Sequence, residues 1–393
     1  MSRYSGIDRE SAIDLLAAFV QVPSINPAFQ VASDDPAHFG EAAAADVLRL
    51  WCNEHQIENS LDLVEEGRPN LIARVKGTTG TKRMLWEGHL DTVQVTGMAA
   101  PFTPRLEGDR LYGRGAVDDG ASVVAFLLAL RALKSNPPEA DVDFLAAVDE
   151  EFSYRGVTHH LARGERYDVG VAGEPTSLQV VRACKGTVRW WVAIEGRNAH
   201  TGRPDEGINA VTIARRILDA YDAEMEKSSD EHPLLGKPTL TCTALEAGIG
   251  PNTVPGASRI RFDYRYLPTE TGQDVYAVFK RLAEGVLEQF PEARITVETP
   301  FVDSSAMDVS AESEIVRRLG RICASYGLPD KAIGVPYGSD ATKMVNIASI
   351  PTVIFGPGSI DQAHTVDEFA DITPIVQAAK MLVDLAHDLN APR

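Results

Sequence analysis

The chain has few cysteines, and their spacing fits neither a disulfide framework nor a thiolate metal site. Its 393 residues include only four, Cys52, Cys184, Cys242 and Cys323, which are far apart and form no Cys-x-x-Cys pair. Small disulfide-linked domains and cysteine zinc sites both depend on closely spaced cysteines. We therefore expect reduced thiols in a cytoplasmic protein, with no role as metal ligands.

The sequence also lacks a long hydrophobic run. The longest apolar stretch, 121–130, is far shorter than the ~20 residues that a membrane-spanning helix needs. The N-terminus has no apolar segment bounded by a small-residue cleavage site, and Ile13, Leu16, Ala17 and Val20 recur at helical spacing. This pattern predicts an amphipathic helix instead of a signal peptide, and so a soluble protein.

Positive charge is in deficit: 38 Lys and Arg residues stand against 56 Asp and Glu residues, a formal charge of −18. An acidic chain repels polyanions, so we do not expect nucleic acid or anionic membranes as partners. The composition is otherwise that of a globular protein, with 44% hydrophobic and 24% charged residues. A chain of this length exceeds one ordinary core and predicts two domains.

Strand and helix signals alternate in the first part of the chain. Buried strands are predicted at 84–90, 142–148 and 169–172, with a buried helix at 121–135. This rhythm indicates an α/β domain, 1–180, with a mostly parallel sheet covered by helices. In such sheets, binding residues gather at the carboxyl ends of the strands.

The pattern changes after about residue 181. Strands are predicted at 188–194, 240–245 and 259–266, and helices at 209–225 and 273–289. The α/β character then returns, with a helix at 312–326, a strand at 352–355 and a helix at 375–390. The simplest arrangement is an α+β lid domain, 181–298, inserted into an α/β domain that 299–393 completes.

Acidic residues and histidines follow the predicted strands in four clusters, and a fifth motif lies far downstream. The motifs are GHLDT at 88–92, GRGAVDDG at 113–120, DEE at 149–151, GEPT at 173–176 and QAHT at 362–365. Alone, each has an ordinary explanation: a capped loop, a solvated acidic surface or a turn. Together they predict a metal site of nitrogen and oxygen ligands without sulfur, which suits Zn²⁺, Co²⁺ or Mn²⁺.

At these motifs the chain resembles the co-catalytic zinc metallopeptidases that include acetylornithine deacetylase, succinyl-diaminopimelate desuccinylase, aminoacylase and carboxypeptidase G. The resemblance covers essentially the whole sequence. It rests on GHLDTV, LYGRGAVDDGAS, VDEE, AGEPTSLQVVRACKG, GRNAHTGRPDEGINA, PNTVPG and GPGSIDQAHTVDE. It implies a zinc-aminopeptidase-like catalytic domain with an inserted lid and dimerisation domain. The implied activity is metal-dependent hydrolysis of the amide bond of an N-acyl amino acid.

The resemblance also implies a two-zinc centre. His89 and Glu174 match ligands of the first metal, and Glu151 and His364 match ligands of the second. Asp118 matches the aspartate that bridges both metals. Chemistry alone does not distinguish it from the adjacent Asp119, which stands where several relatives carry methionine. In the family, the peptide bond after the bridging aspartate is cis.

Three further residues match catalytic positions of the family. Asp91 matches the aspartate that orients His89, and Glu150 matches the general base that takes a proton from the attacking water. His200 matches a lid histidine that stabilises the oxyanion. Without the family, His200 would read as a loop or cap residue.

Substrate-binding residues are implied in the same way. Asn252 and Arg265 match positions that hold the substrate carboxylate, and Gly338 and Ser339 belong to a loop over the same group. Without the family, Arg265 reads equally well as a solvated charge at a strand edge. An arginine fork does suit a carboxylate.

Several alternatives remain open at this stage. A dipeptidase or carboxypeptidase would use the same metal site, and a catalytically inactive binding protein could reuse the fold. The intact ligand set and Glu150 argue against the inactive protein. The strand at 188–194, placed at a sheet edge, predicts a homodimer through the lid. The resemblance implies that His200 then serves the partner's site, and the alternative is a monomer in which His200 acts in its own chain. The acyl group and the native metal are not specified by the sequence.

Overall fold

The computed structural model describes residues 3–390, and the chain divides into two compact units. The first comprises the chain up to Arg182, Val309–Ile333, and the chain from Ser339 onwards. The second comprises Ala183–Asp308 and Gly334–Gly338. The second unit extends beyond the expected boundary at 298 because a strand at Val302–Ser304 pairs with the strand Gly186–Glu195 inside it.

Nine α-helices and nineteen strands occur within residues 3–390. The helices are α1 Arg9–Val20, α2 Ala42–Glu54, α3 Ala121–Ser135, α4 Arg155–Ala162, α5 Ala210–Lys227, α6 Gly272–Gly285, α7 Glu314–Ser325, α8 Ala341–Ala348 and α9 Ile372–Asp388. The strands are β1 Glu58–Glu65, β2 Arg68–Val75, β3 Arg83–His89, β4 Arg105–Glu107, β5 Arg110–Tyr112, β6 Asp141–Ala147, β7 Val169–Ala172, β8 Val181–Cys184, β9 Gly186–Glu195, β10 Ala199–His200, β11 Thr239–Ala247, β12 Thr253–Val254, β13 Ala257–Tyr266, β14 Arg294–Val297, β15 Val302–Ser304, β16 Met307–Asp308, β17 Ile333–Val335, β18 Thr352–Ile354 and β19 Phe369–Asp371.

The first unit is built on a large mixed sheet with the order β1-β2-β6-β3-β7-β18-β8. The four central strands β6, β3, β7 and β18 are parallel, whereas β1, β2 and β8 join antiparallel. The expectation of a mostly parallel sheet was therefore wrong for the flanks. The strands β1 and β2 form a hairpin through the turn at Glu66-Gly67, which only antiparallel neighbours allow.

Helices cover this sheet and enclose its core. The central helix α3 is buried on nearly all sides and contacts α1, α9 and the strands β2, β3 and β6. The amphipathic helix predicted near the N-terminus is α1, whose buried residues include Leu16 and Val20. The helices α4 and α8 contact each other and the strands β6 and β7. This packing holds the carboxyl ends of the central strands rigidly side by side.

The second unit contains an antiparallel sheet with the order β11-β13-β9-β14, and β15 also pairs with β9. The helices α5 and α6 pack against it over a core that contains Trp190, Tyr221 and Phe262. The expectation that the strand at 188–194 lies at a sheet edge was wrong. This strand is β9, which is interior to its sheet and lies between β13 and β14. Among the described residues, β11 pairs on one side only and is an edge of this sheet.

The structure also shows the helix lengths and the state of the cysteines. Between residues 3 and 390 no helix combines the length and the apolarity needed to cross a membrane. All four cysteines are free thiols, three of them buried and Cys242 exposed.

Candidate metal centre

The site lies in the first unit, where the four adjacent parallel strands end. His89 is the last residue of β3, Glu150 and Glu151 follow β6, Glu174 follows β7, and His364 lies in the loop after β18. Carboxyl ends of parallel strands share one edge of the sheet, so residues from distant parts of the sequence meet there. The sequence predicted this convergence from the strand pattern.

Four of the predicted ligands, together with the predicted base Glu150, form two overlapping groups that share His89. His89, Asp118 and Glu151 offer ligand atoms within 4.8 Å of one another, and so do His89, Glu150 and Glu174. The carboxylate of Asp118 lies between two histidines. Its Oδ1 is 2.9 Å from Nε2 of His89, and its Oδ2 is 3.2 Å from Nε2 of His364. Nε2 of His364 is also 3.0 Å from Oε1 of Glu151.

Several carboxyl groups are buried close together in this site, and their pKa values are shifted as a result. Burial raises the pKa of Glu150 well above its usual value, and the carboxylate of Glu151 adds to the rise. Burial also raises the pKa of Glu174, with Glu150 contributing. Burial opposes ionisation of Asp118, but hydrogen bonds from His364 and His89 outweigh it and lower its pKa. A bound cation would neutralise these carboxylates, which otherwise repel one another.

The turn before α3 separates the two adjacent aspartates. Gly115 adopts φ +77°, a left-handed conformation that glycine favours, and the peptide bond between Asp118 and Asp119 is cis, as the resemblance implied. While Asp118 faces the histidines, Asp119 accepts the backbone N–H of His89 at 3.3 Å through Oδ2. Neither of the two ligand groups in the described chain includes Asp119.

Asp91 has different contacts from those expected. Nδ1 of His89 donates to the backbone oxygen of Asp91 at 2.9 Å, while the nearest carboxylate oxygen of Asp91 is 3.7 Å from that nitrogen. The carboxylate instead accepts the backbone N–H groups of Glu150 at 3.0 Å and Glu151 at 3.1 Å. The residue therefore orients His89 through its main chain and the Asp-Glu-Glu turn through its side chain.

Behind Asp91 lies a buried network that sequence reasoning missed. Asn26 donates to Oδ2 of Asp91 at 2.7 Å and to Oδ1 of Asp149 at 2.9 Å. Arg68 donates to the same Asp149 oxygen at 3.0 Å and pairs with the buried Glu41. The available signals were weak: Asn26 precedes a proline in an apparent loop, and Arg68 follows a glycine turn.

Four predicted site residues lie in the second unit: His200, Asn252, Arg265 and, at its last position, Gly338. His200 and Asn252 are neighbours there, since β10 pairs with β12 and the N–H of Thr201 donates to the backbone oxygen of Asn252 at 3.1 Å. Arg265 is half-buried on the interior strand β13, where its Nε donates to Asp263 at 2.7 Å. It is therefore an ion-paired residue and not a solvated charge at a strand edge.

Gly338 and Ser339 lie where the chain passes from the second unit to the first. Ser339 is buried, and its Oγ accepts the N–H of Ala341 at 3.2 Å at the start of α8. Its hydroxyl therefore contributes to the helix N-terminus, a role that Ser commonly has.

Comparison with known proteins identifies the family of this chain. The model for peptidase family M20/M25/M40 matches residues 85–388. A curated relative, acetylornithine deacetylase of Aliivibrio salmonicida (strain LFI1238), is 29% identical over 338 residues, covering 84% of this chain and 87% of the relative.

Solved structures share the fold. A tripeptidase from Staphylococcus aureus subsp. aureus Mu50 aligns with a TM-score of 0.79 at 19% identity, over 98% of this chain and 99% of that one. A dinuclear metal-binding peptidase of the M20 family from Bacillus subtilis aligns with a TM-score of 0.70 at 16% identity, over 96% and 97%. Since the family model spans most of the sequence, the chain belongs to peptidase family M20/M25/M40, and it is a hydrolase of amide bonds.

Proposed function

We propose that the chain hydrolyses the amide bond of a small N-acyl amino acid, as an enzyme of the acetylornithine deacetylase or succinyl-diaminopimelate desuccinylase type. One observation carries the proposal: the carboxylate of Asp118 presents one oxygen to His89 and the other to His364. That arrangement suits a carboxylate shared by two cations. The similarity to acetylornithine deacetylase along 84% of the chain supports the substrate class.

The donor set fits a pair of divalent metal ions. In the proposed assignment, His89, Asp118 and Glu174 hold the first, and Asp118, Glu151 and His364 hold the second. All donors are nitrogen or oxygen, which suits Zn²⁺ and also Co²⁺ or Mn²⁺. When bound, such a pair would acidify a water molecule and polarise the scissile carbonyl.

Glu150 is proposed as the general base. Its carboxylate lies within 4.8 Å of the ligand atoms of His89 and Glu174, so it would be close to a metal ion held by those residues. Its backbone N–H is held by Asp91 at 3.0 Å, which restricts the direction of the side chain. In this role Glu150 takes the proton of the attacking water and delivers it to the leaving amine.

His200 is proposed as the oxyanion donor. Its Nδ1 accepts the N–H of Gly202 at 3.0 Å, so the neutral ring carries its proton on Nε2. The exposed Nε2–H is then available to donate to a developing negative charge. Asn252 beside it, with Arg265, Gly338 and Ser339, is proposed to bind the carboxylate of the substrate.

A homodimer is proposed as the assembly, in which the second unit acts as lid and dimerisation domain and His200 serves the other chain. The support comes from β11, whose outer side has no strand partner among the described residues. An unpaired strand edge can pair with its own copy across a two-fold axis.

The substrate class is tested by a panel of acetyl, succinyl and formyl amino acids and of dipeptides, assayed with Zn²⁺, Co²⁺ and Mn²⁺. We expect the highest kcat/KM for an N-acyl amino acid. Faster cleavage of dipeptides would make the chain a dipeptidase. Absence of hydrolysis in a protein that binds two metal ions would indicate an inactive binding protein.

A further inference from the structure

Glu368 lies on the same loop as His364, four residues further along the chain, and its side chain is almost fully buried, at 1% exposure. Its Oε1 accepts the backbone N–H of Val117 at 3.0 Å and that of Asp118 at 3.3 Å. The backbone oxygen of Glu368 also accepts the N–H of Gly113 at 3.1 Å. One residue thus holds both ends of the turn that presents Asp118.

The charge of Glu368 is balanced locally. Its Oε2 accepts a hydrogen bond from Nη1 of Arg114 at 2.5 Å, and Arg114 is itself buried, at 4% exposure. Nη2 of Arg114 donates to the backbone oxygen of Gln94 at 2.9 Å, and its backbone N–H donates to Pro101 at 2.9 Å. The pair therefore fixes the turn at 113–118 to two neighbouring loops.

These contacts connect two proposed ligands that come from distant parts of the sequence. The loop after β18 supplies His364, and the turn before α3 supplies Asp118. Glu368 is covalently close to the first and hydrogen-bonded to the backbone of the second. The 3.2 Å approach between Nε2 of His364 and Oδ2 of Asp118 depends on how this loop and this turn are held together.

We propose that Glu368 is a positioning residue, which fixes Asp118 relative to His364 and thereby sets the affinity for the second metal ion. This inference rests on the proposed function, since it takes both residues as metal ligands. The first metal shares only Asp118 with this pair, so it should depend less on Glu368. Residues that orient the ligands of a metal site commonly change affinity about 10–100-fold when replaced.

The test is Zn²⁺ titration of the metal-free full-length chain in competition with a chromophoric chelator. For Glu368→Ala we expect the Kd of the second equivalent to rise about 10–100-fold, with a much smaller change in the first. Glu368→Gln should show a smaller rise, because its amide oxygen can still accept the two backbone N–H groups. This partial rescue would not arise from loss of the charge pair alone.

Glu314→Gln is the matched control, because Glu314 also pairs with a buried arginine, Arg318 at 2.8 Å, but lies outside the site. It should bind both equivalents as wild type does. The proposal is overturned if Glu368→Ala binds the second Zn²⁺ normally, or if Glu314→Gln weakens it equally. Should Glu368→Ala not fold, the comparison of Glu368→Gln with Glu314→Gln decides. A wild type that binds fewer than two Zn²⁺ refutes the two-metal proposal itself.

Discussion

The carboxylate of Asp91 accepts the backbone N–H of Glu150 at 3.0 Å, whereas its nearest oxygen is 3.7 Å from Nδ1 of His89. The side chain therefore acts mainly on the Asp-Glu-Glu turn. His89 is oriented by the backbone oxygen of the same residue at 2.9 Å. This division separates two effects that substitution of Asp91 can have.

We predict that Asp91→Ala lowers kcat more than it lowers metal content. Without the carboxylate, the N–H groups of Glu150 and Glu151 and the amide of Asn26 lose their acceptor, and the base moves. The backbone contact to His89 remains. A fall in kcat of about 10–100-fold at saturating metal is expected. The opposite result would contradict these separate roles of the Asp91 side chain and backbone: loss of the first metal ion, with an unchanged kcat for the molecules that still hold metal.

We predict that Asp118→Asn and Asp119→Asn differ in metal binding. Asp118 faces both histidines, whereas Asp119 accepts the backbone N–H of His89 and belongs to neither ligand group. Elemental analysis after dialysis should show metal lost from the first variant and largely retained in the second. Equal loss in both would mean that the bridge is not confined to Asp118.

Much of the fold was predictable because its signals are local. The helix predicted at 121–135 and the strand at 169–172 have the observed bounds, since both are continuous apolar segments. The position of β9 inside its sheet was not predictable, because pairing depends on residues far away in the sequence. The clusters of acids and histidines were recognisable from their residue types and their place after strands, whereas the role expected of each residue came from the resemblance to the family. Asn26 and Glu368 were not, since their importance lies in hydrogen bonds to backbone groups of distant loops.

We predict a pH-dependent contribution of His160 to stability. Burial lowers its pKa from 6.5 to about 4, and its Nε2 is 3.0 Å from the hydroxyl of Tyr167. The folded state therefore binds its proton less readily than the unfolded state. The contribution of His160 to the free energy of unfolding is intact above pH 6.5. It declines as the pH falls towards 4, by up to about 3 kcal/mol.

Urea unfolding of metal-free wild type and His160→Gln at pH 7 and pH 4.5 measures this effect. The variant removes the titrating group but can still donate to Tyr167. The free energy of unfolding should fall less in the variant than in wild type between the two pH values. An equal fall in both proteins would show that His160 does not contribute.

We predict that His200→Ala and Glu150→Ala chains complement each other. In the trans arrangement, a mixed dimer has one site that combines Glu150 of one chain with His200 of the other. Chains that are inactive alone should partly regain activity after subunit exchange. Continued inactivity, with mixed dimers demonstrated by mass, would rule out the trans arrangement.

The central claim, that Glu150 transfers protons at a two-metal centre, is tested most directly by metal content and kcat of Glu150→Gln beside Glu151→Gln and Glu174→Gln. Glu150→Gln should retain two metal ions per chain and lose about 10²–10⁴-fold in kcat. The other two variants should lose metal. Turnover of Glu150→Gln near the wild-type rate would contradict the account.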